Sequence, residues 1–188
     1  MLITSEVLRS LFGALILARF DCRGLKYLDN TITSFWRSFI AAVIIFPLFL
    51  ILVSIRFDTL SLNSGAIRYF SLDICAYFIS WLAFPLLIDK LSYSIGRERR
   101  FLRFMVAYNW SMVPQNFLYT IIIILSYMEL LSDNVTNTLI LLILMWTFAF
   151  TWFVAHEALE ISTLGAIGIV MIDFLLSLMI EATITSRH

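Results

Sequence analysis

Long apolar runs separated by short polar stretches dominate the chain. Crossing about 30 Å of hydrocarbon takes about 20 mostly apolar residues as a helix, and lipid offers no hydrogen-bond partner to an irregular backbone. Five runs meet or nearly meet that length: 37–55, 69–88, 104–128, 137–155 and 162–180. The pattern therefore predicts an all-α fold, a polytopic membrane helix bundle with five transmembrane helices.

The first 20 residues predict one more helix, which is amphipathic rather than spanning. At helical spacing Glu6, Arg9 and Gly13 share one face, whereas Leu8 and Leu15 fall largely on the other. The short apolar core, without a basic start or an A-x-A cleavage site, argues against a signal peptide. We expect this helix either to lie in the membrane interface or to pack against the cytoplasmic end of the bundle.

Composition agrees with a membrane protein and limits its partners. The chain of 188 residues is 61% hydrophobic and only 14% charged, whereas soluble domains carry about 25% charged residues. Its formal net charge is zero, so no nucleic-acid partner is expected. The expected partners are the lipid bilayer and, as a candidate, another membrane protein or complex. No phosphate loop or paired-cysteine motif indicates a cofactor.

The distribution of basic residues predicts the orientation in the membrane. Of the 13 Lys and Arg residues, only Arg56, Arg68 and Arg187 lie on the side of the membrane opposite the amino terminus. Because Lys and Arg collect in cytoplasmic loops, we expect a bacterial cytoplasmic (inner) membrane protein with its amino terminus in the cytoplasm and its carboxyl terminus outside. The predicted parts are a cytoplasmic or interfacial amphipathic segment at 1–35, a five-span membrane domain at 36–181 and an external tail at 182–188.

An unusual group of polar residues lies inside the predicted spans. The stretch "YNWSMVPQN" at 108–116 brings amides and a proline into the third span, and Asp173 falls at a similar depth in the fifth. A carboxylate at the bilayer centre costs roughly 2.5 to 3.5 kcal/mol on insertion scales, so we expect Gln115 or Asn116 to be its hydrogen-bond partner. The predicted intramembrane polar cluster comprises Asn109, Ser111, Gln115, Asn116, Asp173 and Asp73.

Three functional hypotheses fit this cluster. In the first, the polar groups are structural, since interhelical hydrogen bonds of about 0.6 kcal/mol are common in membrane bundles, and the protein is a non-enzymatic accessory or membrane-organising subunit. In the second, it is a small permease-like transporter whose site surrounds Asp173. In the third, it is a membrane-embedded hydrolase or metal protein. A cavity that reaches Asp173 would favour the transporter hypothesis, and a fully packed centre would favour a structural role for the polar groups.

The third hypothesis depends on the stretch "AHEALE" at 155–160. A zinc-protease helix requires H-E-x-x-H, and here Glu160 occupies the position of the second histidine. His156 and Glu160 could hold a metal at i and i+4 beside Glu157, but the other histidine of the chain is the terminal His188. The alternative is a polar turn in which Ser162 or Thr163 caps the following helix.

The loop "DKLSYSIGRERRFLR" at 89–103 carries a basic cytoplasmic patch formed by Arg97, Arg99, Arg100 and Arg103. Each such side chain next to an anionic leaflet can contribute about 1 kcal/mol of attraction to lipid. The alternative is a docking surface for an acidic partner.

Two resemblances rest on these segments. The run "ARFDCRGLKYLDNTITSFWRSF" before a proline-bearing span, with "YNWS" in the third span, resembles a family of small uncharacterised bacterial inner-membrane proteins. A cytoplasmic amino-terminal segment before five spans is similar to the architecture of the Yip domain proteins, although their D-L-Y-G-P signature is absent from this sequence. That second resemblance implies a membrane-organising role.

Overall fold

The computed structural model describes residues 2–59 and 65–185. Within these ranges 88% of the protein is helical, and there is no β-strand. The helices are α1 (Leu2–Leu17), α2 (Ile32–Ser38), α3 (Ile40–Thr59), α4 (Ala66–Ser94), α5 (Phe101–Tyr127), α6 (Asp133–Leu159) and α7 (Thr163–Thr185). Short 3₁₀ turns at Cys22–Tyr27 and Glu98–Arg100 precede α2 and α5. The predicted all-α class is therefore confirmed.

Four helical segments of the described residues are long and apolar enough to cross a membrane. They are Ile32–Thr59, which joins α2 and α3, Ala66–Ser94, Asp133–Leu159 and Thr163–Thr183. Helix α5, the predicted third span, has 27 residues but is not among them, since its amides make it less apolar. Length and composition thus support four of the five predicted spans. The remaining one, the third span at α5, stays a prediction.

Helix α5 lies at the centre of the bundle, which explains how it accommodates amides. It packs against α1, α2, α3, α4 and α6, and every residue from Phe104 to Ser111 is buried. A helix that is buried all round meets protein rather than lipid on each face. Polar groups on this part of α5 can therefore find partners on neighbouring helices.

Helix α1 packs on the bundle, the second of the two arrangements that we expected. Its face of small residues, including Gly13, is buried against α5 and the first 3₁₀ turn, while Leu8 and Leu15 point outward and are 63% and 54% exposed. Ion pairs of Glu6 with Arg37 and of Arg9 with Asp29 hold its polar side to the segment around α2. Contact of its outward apolar face with the membrane interface stays a prediction.

The remaining connections define two ends of the bundle. At the end that we call the basic end, α4 is joined to α5 and α6 to α7. At the end that we call the Arg56 end, α3, α5 and α7 finish and α4 and α6 begin. Helix α7 continues to Thr185, so the predicted tail at 182–188 begins inside this helix, and its last three residues lie outside the described ranges.

Candidate functional site

A cavity of about 610 Å³ lies between α3, α4, α5 and α7. Its lining runs from Arg56 and Glu181, near the Arg56 end, to Trp81, Phe84 and Tyr108 deeper in the bundle. Helices α5 and α7 both pack on α4 and α6 but pack little on each other, and the cavity extends into the space between them. A space of this size is in the range of small-molecule sites.

The mouth of the cavity carries opposite charges on two helices. Arg56 of α3 and Glu181 of α7 approach to 3.9 Å, and their side chains are 52% and 61% exposed. A pair this long and this exposed contributes little to stability. It can therefore separate without a large cost in free energy.

At the deep end of the cavity, Asp173 accepts a hydrogen bond from a tyrosine. The Tyr108 hydroxyl donates to Oδ1 of Asp173 over 2.7 Å, and the Tyr108 ring stacks on Phe84 with ring centroids 4.2 Å apart. This contact corrects the expectation that Gln115 or Asn116 supplies the partner. The expectation came from matching the midpoints of two predicted spans, whereas the observed partner lies seven residues before Gln115 in α5.

The amides of α5 have partners elsewhere. Asn109 is 1% exposed and its Nδ2 donates to Oγ of Ser38 in α2 over 2.8 Å, whereas Asn116 Nδ2 donates to the carbonyl oxygen of Met112 within its own helix over 2.9 Å. Nε2 of Gln115 is buried and has no hydrogen-bond partner among the described residues. Of these three amides of α5, that of Asn109 connects two helices, that of Asn116 bonds within α5, and Nε2 of Gln115 has no partner among the described residues.

Four members of the predicted polar cluster line the cavity, namely Asp73, Asn109, Asn116 and Asp173. The other two do not. Ser111 is buried and donates from Oγ to the carbonyl oxygen of Tyr108, and Gln115 is buried but is not part of the cavity lining. Four members of the predicted cluster thus form part of the cavity wall, whereas Ser111 and Gln115 are buried outside it.

Sequence reasoning missed the residues that give the cavity its aromatic and charged character. Tyr108 stands at the start of the stretch "YNWSMVPQN", yet a single tyrosine carries no signal in a chain with 17 Phe and 7 Tyr. Arg56 and Glu181 are far apart in sequence, and only the fold brings them to one mouth. The spacing of Asp73 and Tyr77 on one face of α4 was the signal that could have indicated an aromatic wall.

The predicted basic patch is only partly free. Arg100 and Arg103 reach Glu160 over 2.7 and 2.8 Å, so half of the patch holds α5 to the end of α6. Glu160 follows α6 in a left-handed conformation, with φ of 54°. Arg97 and Arg99 form no ion pair with a described residue, and they remain candidates for lipid or partner binding.

The candidate metal ligands are not assembled into a site. The Glu160 carboxylate forms ion pairs with Arg100 and Arg103. Nδ1 of His156 lies 3.3 Å from Oε1 of Glu157. Among the described residues no group of three His, Cys, Asp or Glu side chains could hold a metal ion, and His188 lies outside them. The turn has the capping role given as the alternative, because Ser162 Oγ accepts a hydrogen bond from the Gly165 amide.

Comparison with known proteins adds no relative. No protein-family model, curated protein or solved structure matches the chain. The two resemblances drawn from the sequence therefore stay expectations, and any function has to be argued from the cavity.

Proposed function

We propose that this protein is a small permease-like membrane protein that binds a solute in the cavity around Asp173. The observation that carries the proposal is the cavity of about 610 Å³ that reaches the Tyr108–Asp173 pair from the Arg56 end. A bundle whose polar groups were only structural would need no open space beside them, because close packing satisfies hydrogen bonds at lower cost.

The surroundings of the cavity are suited to movement. Pro85 lies in its lining, and Pro114 stands in the part of α5 beside it, so both walls have a place where the helical hydrogen bonds are interrupted. The exposed Arg56–Glu181 pair joins α3 to α7 across the mouth. Separation of this pair would let α7 move relative to α3, which is a way to open the cavity.

The accessory, membrane-organising role is a second candidate with its own supporting observation. The Tyr108–Asp173 hydrogen bond links α5 and α7, which otherwise pack on other helices, so the pair could serve as a structural bridge. Arg97 and Arg99 at the basic end would then be the docking surface. This role requires no access of water or solute to the centre of the bundle.

Thiol accessibility tests the permease proposal. In a background in which Cys22 and Cys75 are replaced by serine, Ser80→Cys places a thiol in the cavity wall at the middle of α4, while Ile79→Cys places one on the outer face, where Ile79 is 57% exposed. Both variants are treated with a membrane-impermeant methanethiosulfonate in vesicles of either orientation. We expect the Ser80→Cys thiol to react from both sides, at different rates, and the Ile79→Cys thiol to react from neither.

The other outcomes separate the candidates. Reaction of the Ser80→Cys thiol from one side only would indicate a binding site without transport and would contradict the permease proposal. Reaction from neither side would support the structural role, because a bundle that never opens excludes the reagent. The Ile79→Cys variant controls for a loosened bundle, and Arg97→Cys, which intact vesicles should expose on one side only, controls for leaky vesicles.

A further inference from the structure

We infer that the occupant of the cavity is an organic cation with an apolar body. This inference rests on the proposed function of the cavity as a solute site, and it names the chemical class of the solute. Three features carry it: an excess of carboxylates in the lining, a wall of aromatic rings and the lack of a metal-ligand cluster among the described residues.

The charge of the lining favours a cation. Asp73, Asp173 and Glu181 face the cavity, and of its described lining residues Arg56 is the one basic side chain. Arg56 lies at the mouth beside Glu181, so the two aspartates lie beyond this pair. A positive charge between the helices would offset the cost of holding carboxylates away from water.

The aromatic wall favours an organic cation with an apolar body. Six rings line the space: Phe49, Tyr69, Tyr77, Trp81, Phe84 and Tyr108. Ring faces attract cations through the quadrupole of the π system, and quaternary ammonium groups are held in this way. The same rings bury alkyl or aryl groups, which an inorganic ion lacks.

The main alternatives fit less well. A metal ion needs several oxygen, nitrogen or sulfur ligands, and no group of three His, Cys, Asp or Glu side chains suited to one occurs among the described residues. An anion would meet carboxylates at depth and a single arginine that already faces Glu181. A neutral solute would bring no positive charge to the carboxylates of the lining, and it is therefore the comparison that the experiment needs.

Three ligands of similar shape test the charge preference. Benzyltrimethylammonium is the cation, benzyl methyl sulfone its neutral counterpart and benzylsulfonate its anionic counterpart, each titrated by calorimetry into the purified full-length protein in detergent. We expect saturable binding of the cation and at least about tenfold weaker binding of the other two, a difference of about 1.4 kcal/mol. Equal binding of the sulfone, or no binding of the cation, would overturn the inference.

Variants locate the site. Asp173→Asn should weaken binding of the cation by about tenfold or more, whereas Asp89→Asn, an exposed aspartate of α4 outside the cavity lining, should leave it unchanged. The same effect in both variants would place the cation elsewhere. If Asp173→Asn does not fold, Trp81→Leu decides, since losing the ring should weaken the cation more than the sulfone, and equal weakening would contradict the inference.

The two tests can fail separately. A Ser80→Cys thiol that reacts from both sides together with no preference for the cation would keep the permease proposal and reject the solute class. A selective cation site with a thiol that reacts from one side only would keep the solute class and reject transport.

Discussion

At the scale of single residues, the Tyr108–Asp173 pair is the contact on which both functional candidates depend. The Asp173 carboxylate accepts a hydrogen bond from the Tyr108 hydroxyl, and the Tyr108 ring stacks on Phe84. Removing either partner should leave a polar group beside apolar neighbours without its hydrogen bond, whereas removing both should not. The pair can therefore be tested by a double-mutant cycle.

We expect Tyr108→Phe and Asp173→Leu each to lower the free energy of unfolding by about 1 to 3 kcal/mol. The double variant should lose clearly less than the sum, because it leaves neither group unpaired. Asp173→Asn should stay close to the wild type in stability, since the amide oxygen still accepts the hydrogen bond that the Tyr108 hydroxyl donates. Thermal unfolding in one detergent measures all four, and additive losses would show that the hydrogen bond contributes nothing.

The two asparagines of α5 should differ in the same assay. Asn109 is buried and joins α5 to Ser38 of α2, whereas Asn116 bonds to a carbonyl group of its own helix. We expect Asn109→Ala to cost about 1 to 3 kcal/mol, since it leaves a buried hydroxyl with fewer partners, and Asn116→Ala to cost under about 1 kcal/mol. A loss for Asn116→Ala as large as that for Asn109→Ala would contradict this difference between the two amides.

At the scale of elements, the seating of α1 depends on two glycines. A Cβ on Gly24 would lie 2.5 Å from the carbonyl oxygen of Gly13, which is closer than side-chain carbons approach backbone atoms. The contact lets the first 3₁₀ turn lie directly against α1. No periodic pattern in the sequence predicts this contact between Gly13 and Gly24, because the two glycines lie in different elements.

We expect Gly24→Ala to destabilise the protein by about 1 to 3 kcal/mol through overpacking, and to make α1 more accessible to protease. Gly168→Ala in α7 is the matched control. A Cβ there meets nothing within 4 Å, so the change should be neutral or stabilise by up to about 1 kcal/mol, as alanine favours a helix. Equal melting temperatures for the two variants would show that the backbone approach can relax at no cost.

The helices also show which features of the fold could be predicted from the sequence. Apolar runs predicted the all-α class and the positions of four candidate spans, because length and hydropathy are local properties of the chain. Asp73 and Asp173 could be singled out by their cost in lipid, and the structure places both at one cavity. The Tyr108 partner and the Arg56–Glu181 mouth could not be predicted, since both depend on how helices are rotated against one another.

At the scale of the whole molecule, charge is divided between the two ends. The basic end carries Arg97 and Arg99, without ion-pair partners among the described residues, while the Arg56 end carries Glu129, Asp133 and Glu181. Under the positive-inside rule we expect the basic end to lie in the cytoplasm. The cavity mouth at Arg56 would then face the outside.

This arrangement requires α5 to cross the membrane, although its composition alone does not identify it as a span. Its 27 residues are about 40 Å long as a helix, and its buried part lies among helical segments that are long and apolar enough to cross. In the background without native cysteines, Arg97→Cys should therefore react with an impermeant maleimide only in inside-out vesicles, and Asn134→Cys only in right-side-out vesicles. Permeabilised vesicles, in which both thiols should react, control for burial. Labelling of both positions from the same side would mean that α5 returns to the surface it left, which would reject the five-span topology and the outward mouth together.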